Sequence, residues 1–465
     1  MKKLIKLLSV SVVLSLLVTL FSFPIPAFAA DDILLKTADD GSASGVETTS
    51  DVFVNTGIAA TVNVADAEEV LVISTFEAME PGGSITATFQ VLSTDATTSG
   101  EFHRVVSVNK IDDKGIGSIV HIFTASGGGD KTYELQHYTS GKPLTTTGTI
   151  VAIPLSTGSS VLRSEEMQVT TPVTVNATDT WLPVTGSSST NGIVTRIASH
   201  LYVVASIESD KSAAGVATGM WKLQYDKDDS GSWTDFGYPV SRYLSSSDIG
   251  LISLVGLLQN QDAGNYKFRL MHQGTATNVR TTKANIVSVG LEDGTGYLDA
   301  TQAYTAGPTG TSSSTLNAVA STTVTPYVST KMLVHAQYEM SAAEPVTDSQ
   351  YNVIVGSGGS ELTSQPQRRY ISGSTDVGSG SSVGLTTALT ALAEYPMALN
   401  HASTGGSLSI STSDAYVVGI VLGYATSQPP VPEWPTIGLI SIGFLIIGVY
   451  LLFKKRRSLI VTNQV

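Results

Sequence analysis

The sequence predicts an all-β protein: three tandem β-sandwich domains followed by one C-terminal membrane-spanning helix. Three observations predict it. Short alternating apolar and polar runs, rich in Val, Ile and Thr, are separated by Gly, Ser, Asn and Asp clusters, and no long 3.6-residue period lies between them. A set of landmarks recurs every 131 residues. A 17-residue stretch, Ile437 to Phe453, carries no charge and runs directly into Lys454-Lys455-Arg456-Arg457.

Length and composition agree. A chain of 465 residues is too long for one ordinary domain, and roughly three are expected. Hydrophobic residues make up 42%, enough for real cores, whereas charged residues make up only 14%. There is no cysteine, which rules out disulfides, thiol catalysis and Cys-zinc sites. Net charge is −13; seven of the positive charges lie in the two end segments, and without them the exterior part stands at −20. A surface this acidic excludes nucleic acid as a partner.

The repeat carries the domain assignment. Leu71-Val72-Ile73-Ser74-Thr75-Phe76-Glu77 matches Tyr202-Val203-Val204-Ala205-Ser206-Ile207-Glu208 and Leu333-Val334-His335-Ala336-Gln337-Tyr338-Glu339. An Arg strand follows each time: Phe102-His103-Arg104, Val240-Ser241-Arg242, Gln367-Arg368-Arg369. Next come an apolar-Gly pair (Ile116-Gly117, Ile249-Gly250, Val383-Gly384) and a strand from Tyr133, Tyr266 or Tyr395 to His137, His272 or His401. A last apolar strand closes each copy. A period this long means whole domains rather than solenoid turns, and the expected domains are 30–162, 163–296 and 297–425. The closing strands are similar to jelly-roll domains of the tumour-necrosis-factor and complement-head type, which implies jelly-roll sandwiches; an immunoglobulin-like strand order is the alternative.

The two ends read as an address. Lys2, Lys3 and Lys6 precede the apolar Leu7 to Phe21, Pro24 and Pro26 stop the helix, and Ala27-Phe28-Ala29 is a cleavage site, so 1–29 is expected to be a signal peptide. At the other end, 426–436 is a Pro-rich stalk, 437–453 a span of about 25 Å at the helical rise, and 454–465 a basic cytoplasmic tail. The order Pro432-Glu433-Trp434-Pro435, apolar helix, basic cluster resembles the C-terminal sorting signals of archaeosortase- and exosortase-processed surface proteins. The resemblance covers only about residues 429–457, Trp434 stands where Phe is usual, and Ser458 to Val465 extend beyond the basic cluster. It implies a sorting transpeptidase as partner and removal of the helix. A permanent single-pass anchor is the alternative, with the membrane itself as partner.

Candidate chemistry is sparse. Glu77, Glu208 and Glu339 close their strands, and alternation puts them on the face opposite the core. His137, His272 and His401 fall at the rim of the core face, partly buried, so Glu and His do not form a shared site and structural hydrogen bonding is expected of both. Asp226, Asp228 and Ser230, with Gly231 sixth in the loop, partly match a calcium loop, but Gly237 stands where the bidentate Glu belongs. A polar hairpin explains them, and calcium is the one cofactor considered. Gly380-Ser381-Ser382-Val383-Gly384 satisfies G-x-S-x-G by letter but sits in a Gly/Ser-rich stretch read as a loop, without the strand and helix of a nucleophile elbow. No zinc-protease helix motif, P-loop or dinucleotide fingerprint is present. Trp181, Trp221 and Trp233 in the second copy are the candidate ligand aromatics, and Asn176 heads a glycosylation sequon.

The expected function is therefore a non-catalytic, cell-surface anchored structural or adhesive protein. A surface protein that binds carbohydrate is the alternative, with a surface glycan or another cell-surface protein as partner. A secreted hydrolase would need convergent carboxylates, which the sequence does not contain.

Overall fold

Strands arise where β-branched and apolar residues run together, as in Val70-Leu71-Val72-Ile73. The computed structural model describes residues 38–80, 85–106, 113–139, 141–156, 162–175, 177–184, 193–195, 199–246, 248–292, 297–342, 347–371, 376–404 and 409–425. Every regular element among them is a strand.

The first copy contains β1 (Ala38–Thr48), β2 (Val54–Val64), β3 (Glu69–Glu80), β4 (Ile85–Ser93), β5 (Phe102–Val106), β6 (Asp113–Thr124), β7 (Gly129–Thr139) and β8 (Leu144–Pro154). The second contains β9 (Ser164–Val169), β10 (Val173–Thr174), β11 (Leu182–Pro183), β12 (Ile193–Thr195), β13 (Ser199–Lys211), β14 (Val216–Lys227), β15 (Thr234–Ser245), β16 (Ile249–Gln261), β17 (Gly264–Gly274) and β18 (Val279–Gly290). The third contains β19 (Tyr297–Thr305), β20 (Thr309–Thr311), β21 (Asn317–Val324), β22 (Met332–Ala342), β23 (Thr347–Val355), β24 (Leu362–Thr363), β25 (Gln367–Ile371), β26 (Gly378–Leu385), β27 (Tyr395–Ser403) and β28 (Ile410–Ala425).

The first copy forms two antiparallel sheets ordered β1-β8-β3-β6 and β2-β7-β4-β5. This is the jelly-roll order, in which each strand crosses to the opposite sheet and returns beside its Greek-key partner. The second copy repeats it as β10-β18-β13-β16 and β11-β17-β14-β15, with β9 extending the first strand position and β12 the second. The third repeats it as β19-β28-β22-β26 and β21-β27-β23-β24, with β20 and β25 as the extra pieces. The immunoglobulin-like order is thereby excluded.

Each sandwich has its own core. Val70, Val72, Phe76, Phe89 and Leu135 build the first, Val203, Ile207, Trp221 and Phe268 the second, and Val334, Tyr338, Tyr351 and Leu399 the third. The alternate residues of the same strands do not face water. Leu71, Ile73, Val120 and Val151 from the first copy meet Tyr202, Val204, Val255 and Val287 from the second, and Leu333, Val383, Val418 and Ile420 from the third. The three β1-type sheets thus turn their outer faces to one another around a fourth, shared core. Strands buried on both faces read as continuous apolar runs, which is why β3, β13 and β22 lack clean alternation. The three tandem sandwiches therefore close into a ring around this shared core. Leu251 of the second copy even enters the core of the first, and Ile116 of the first enters the core of the third.

Register also corrects one landmark. Ala78 pairs with Gly115, Ser209 with Gly250 and Met340 with Gly378, so these are the equivalent glycines, and only Gly250 was matched correctly from sequence. A Cβ at any of the three would collide with the guanidinium of Arg104, Arg242 or Arg369. The stretch expected as a Gly/Ser loop is likewise the fully buried strand β26. It needs small residues because Arg369 lies over Gly378, Tyr338 over Gly380 and Leu362 over Gly384.

Candidate functional site

The recurring Glu, Arg and His residues find their roles in this ring. Glu77, Glu208 and Glu339 do point away from their own sandwich interiors, onto the strand-5 segment of the preceding copy. The backbone N–H of His103 donates to Glu208 at 2.5 Å, that of Ser241 to Glu339 at 2.7 Å, and that of Arg368 to Glu77 at 2.6 Å. The links run from copy two to one, three to two and one to three, a head-to-tail arrangement that closes after three steps. Gln337 repeats the direction by accepting from Val255 N–H at 2.5 Å, and Thr75 by accepting from Val383 N–H at 3.3 Å.

The three clamps differ in what surrounds the carboxylate. Glu208 also meets the His103 ring at 3.0 Å and accepts from the Thr282 hydroxyl at 2.6 Å. Burial pushes its pKa up, but these hydrogen bonds outweigh burial and hold it below the usual carboxylate range. At Glu339 burial outweighs the hydrogen bonds from Ser241 and from the Ser413 hydroxyl at 3.1 Å, and with the nearby Asp414 carboxylate it raises the pKa. Glu77 lies 3.4 Å from the Arg368 guanidinium. A second His–Glu contact, His121 to Glu166 at 2.7 Å, joins copies one and two. On the ring axis, the Tyr202 hydroxyl and His335 Nδ1 sit 2.6 Å apart, both fully buried.

The arginines that follow the clamped strand are buried too. Arg242 reaches Asp248 at 3.4 Å, and Arg369 pairs with Asp376. His137, His272 and His401 are more deeply placed than expected, at 0–1% exposure rather than at a rim. Each ring bridges the two sheets of its sandwich through a threonine: Thr146 at 2.7 Å, Thr281 at 3.0 Å and Thr412 at 2.8 Å. Burial pulls their pKa values down to about 4, so they stay neutral. In the second and third copies the same threonines also bond Trp221 Nε1 at 2.9 Å and the Tyr351 hydroxyl at 2.8 Å. Trp221, expected among ligand-facing aromatics, is therefore a core residue with its one polar atom satisfied.

Trp181 and Trp233 stand elsewhere. Both are half-buried beside the outer face of the β11-β17-β14-β15 sheet, where Lys222 Nζ lies 4.4 Å from the Trp181 ring centre and Arg269 Cζ 4.0 Å from that of Trp233. Asp226 lies near the end of β14, and Asp228 and Ser230 occupy the turn that leads to β15. Asp226 is buried and accepts from the Ser230 hydroxyl at 2.5 Å and the Gly231 N–H at 3.0 Å, while Asp228 accepts from the Asn265 N–H at 2.8 Å. These carboxylates brace the hairpin. Among the described residues, no three His, Asp or Glu side chains gather as a metal-ligand set. Asn176, the signal segment, the Pro432 to Pro435 motif and the Ile437 to Phe453 stretch lie outside the described residues. Among the described residues no helix is long and apolar enough to cross a membrane.

Sequence reasoning missed the partners: His103, Ser241 and Arg368 at the clamps, and Lys222, Gln224, Asp235 and Arg269 beside the tryptophans. Clamp partners are 105, 98 and 291 residues apart, and only the constant position just before each recurring arginine hinted at them.

No family model matches the chain, and no curated protein matches it. Among solved structures it is similar to a recombinant N-glycanase F (8% identity, TM-score 0.28, 57% of this chain and 96% of that one). It is also similar to the Sulfolobus Turreted Icosahedral Virus structure (10% identity, TM-score 0.20, 82% and 91%). A third similarity is to an archaeal-virus structure described by its triple jelly roll fold and turret assembly (9% identity, TM-score 0.19, 83% and 90%). Likenesses this distant carry no functional argument, and the fold rests on strand order alone.

Proposed function

We propose that this chain is a non-catalytic surface protein: an exported body of three jelly rolls, tethered through its C-terminal segment, acting as a structural or adhesive unit. The observation that carries the reading is the use made of the recurring polar residues. Every Glu, Arg and His that repeats is engaged in holding sandwiches together or bridging sheets, so the repetition serves architecture. The signal-like N-terminus and the apolar stretch with its basic flank supply the address. A closed ring without disulfides also suits exposure outside the cell, because its seams are buried and each is tied by a clamp.

The test is mass spectrometry of intact envelope fractions combined with protease treatment of whole cells. The expected result is a mature chain beginning near Ala30, accessible to protease from outside. Under the sorting reading, it lacks Ile437 to Phe453, and Glu433→Ala leaves an unprocessed precursor in the membrane. Mature surface protein carrying Ser458 to Val465, unaffected by Glu433→Ala, replaces sorting with a permanent anchor. Protein found only inside the cell overturns the surface function altogether.

A further inference from the structure

One face of the ring is built unlike its two repeats. In the second copy, the outer face of the β11-β17-β14-β15 sheet carries a continuous polar strip. Lys222 Nζ donates to Asp235 at 2.7 Å, Gln224 Nε2 donates to Asp235 at 2.5 Å, and Arg269 donates to Gln224 Oε1 through Nε at 2.8 Å and Nη2 at 2.6 Å. An indole stands at each end: Trp181 against Lys222 and Trp233 against Arg269. Trp181 directly precedes Leu182, which pairs with His272 beside Trp221, and Trp233 directly precedes Thr234, which pairs with Tyr225. The two indoles thus flank opposite edges of the four-strand sheet, whose outer strands lie three strand spacings, or about 14 Å, apart.

Register identifies the matching positions in the other copies. Lys222, Gln224 and Arg269 correspond to Gln90, Leu92 and Glu134 in the first and to Asn352, Ile354 and Ala398 in the third. Neither has an indole: of the four tryptophans in the chain, Trp221 is in the core, Trp434 lies outside the described residues, and the remaining two flank this strip. A strip needed only for folding would be expected to recur with the fold.

We propose that this face binds a neutral, linear oligosaccharide. Indole faces pack against the C–H faces of pyranose rings, and a planar row of carboxylate, carboxamide and guanidinium groups offers acceptors and donors to paired hydroxyls. The strip is internally hydrogen-bonded, so its groups are held in place before a ligand arrives. Asp235 is its solvent-facing member, with the side chain 58% exposed, while Lys222 and the buried Gln224 hold it from below. Lys222 and Arg269 are balanced by Asp235 and the neighbouring Asp226, leaving a neutral strip in a chain of net charge −13. That balance favours an uncharged polyol over a polyanion, which the surrounding acidic surface repels. The biological meaning of such binding as adhesion rests on the surface reading above, but the binding itself does not.

The experiment is affinity electrophoresis of the full chain through gels containing laminarin, mannan, hydroxyethyl cellulose or glycol chitin, with heparin as the anionic control, alongside tryptophan fluorescence. Retardation by at least one neutral polymer, with quenching of indole emission, is expected. Trp181→Ala and Trp233→Ala should each weaken it about tenfold, and the exposed Asp235→Asn should weaken it without altering the melting temperature. Trp434→Phe should leave it unchanged. Absence of retardation by all four neutral polymers, retardation by heparin alone, or retardation that survives the Trp181→Ala/Trp233→Ala double substitution overturns the proposal. Cell-surface protease accessibility, measured on the same variants, tests the surface reading separately.

Discussion

Glu77, Glu208 and Glu339 occupy one position of the repeat, yet the pKa values of Glu208 and Glu339 are shifted in opposite directions, because each faces a different copy. Glu208 is held low by His103 and Thr282, so its ionised form stabilises the ring above the unfolded carboxylate value of 4.5, and that contribution is lost as pH falls through the lower folded value. Glu339 is raised, so its contribution has the opposite sign: it is present below 4.5 and is lost as pH rises through the higher folded value. Glu208→Gln should therefore cost about 1–3 kcal/mol at neutral pH, and Glu339→Gln less, as read from urea midpoints. Equal losses would mean that the clamps act through shape alone. The bridging histidines add a larger pH effect. His137, His272 and His401 fall from 6.5 unfolded to about 4 folded because they are buried. Stability is then full above 6.5 and erodes as pH falls towards 4, since the unfolded chain takes up protons that the folded one refuses. Replacing one of them with Gln should remove up to about 1.4 kcal/mol per pH unit from that slope.

Within the elements, ring and glycine are paired across neighbouring strands. Tyr338 covers Gly380, where a Cβ would sit 2.7 Å from the ring, and Phe76 covers Gly117 at 2.6 Å. The second copy solves the same position with Ile207 opposite Ile252. Gly380→Ala should cost about 1–3 kcal/mol by overpacking, Tyr338→Leu should be destabilising by a similar amount, and the double variant should cost clearly less than their sum. Additive losses in a denaturation cycle would show that the two positions do not share this volume. The same pairing explains what could be read in advance. Val70 to Ile73 and its repeats announced strands through their own side chains, and Tyr133 to His137 through alternation. Gly378-Ser379-Gly380-Ser381-Ser382 has no apolar or β-branched side chain to announce a strand, because its place in the sheet is set by Arg369 and Tyr338 reaching over it. The candidate sites divide in the same way. Glu77 and His137 were visible as repeated letters and their opposite facing followed from parity, but Arg368 and Thr146 became their partners only through the ring and the two-sheet fold. Trp221, Trp181 and Trp233 were indistinguishable as letters, and burial alone separates the first from the other two.

At the scale of the whole molecule, covalent linkage lets three unequal copies close a ring that identical subunits would close by symmetry. The departures from equivalence sit at the axis. Ile73 and Val204 correspond to His335, and Leu71 and Leu333 to Tyr202, so the buried Tyr202–His335 hydrogen bond adds to the others between copies two and three at positions where the first copy offers only hydrocarbon. Burial holds His335 neutral, with its pKa pushed down to about 3, so the contact is a hydrogen bond rather than an ion pair. The shared core also makes each sandwich depend on the others. A copy on its own would expose the outward face of its first sheet, in the second copy Tyr202, Val204, Val255, Leu257, Val287 and Val289, all at most 4% exposed in the ring. Fully exposing one aliphatic side chain costs about 1.5–3 kcal/mol, so a face of five with Tyr202 is comparable to the whole margin by which an ordinary domain is stable. Residues 163–296 expressed alone should therefore self-associate or bind hydrophobic dye, and the full chain should unfold in one calorimetric transition. Two substitutions localise the cause. Val204→Asp, which places a charge in the shared core, should weaken all three copies together. Thr61→Asp, at an exposed site where β2 pairs with β7, should leave the transition nearly unchanged. A monomeric, dye-silent fragment 163–296, or separate melting steps for the three copies, would show instead that the sandwiches fold alone and merely touch.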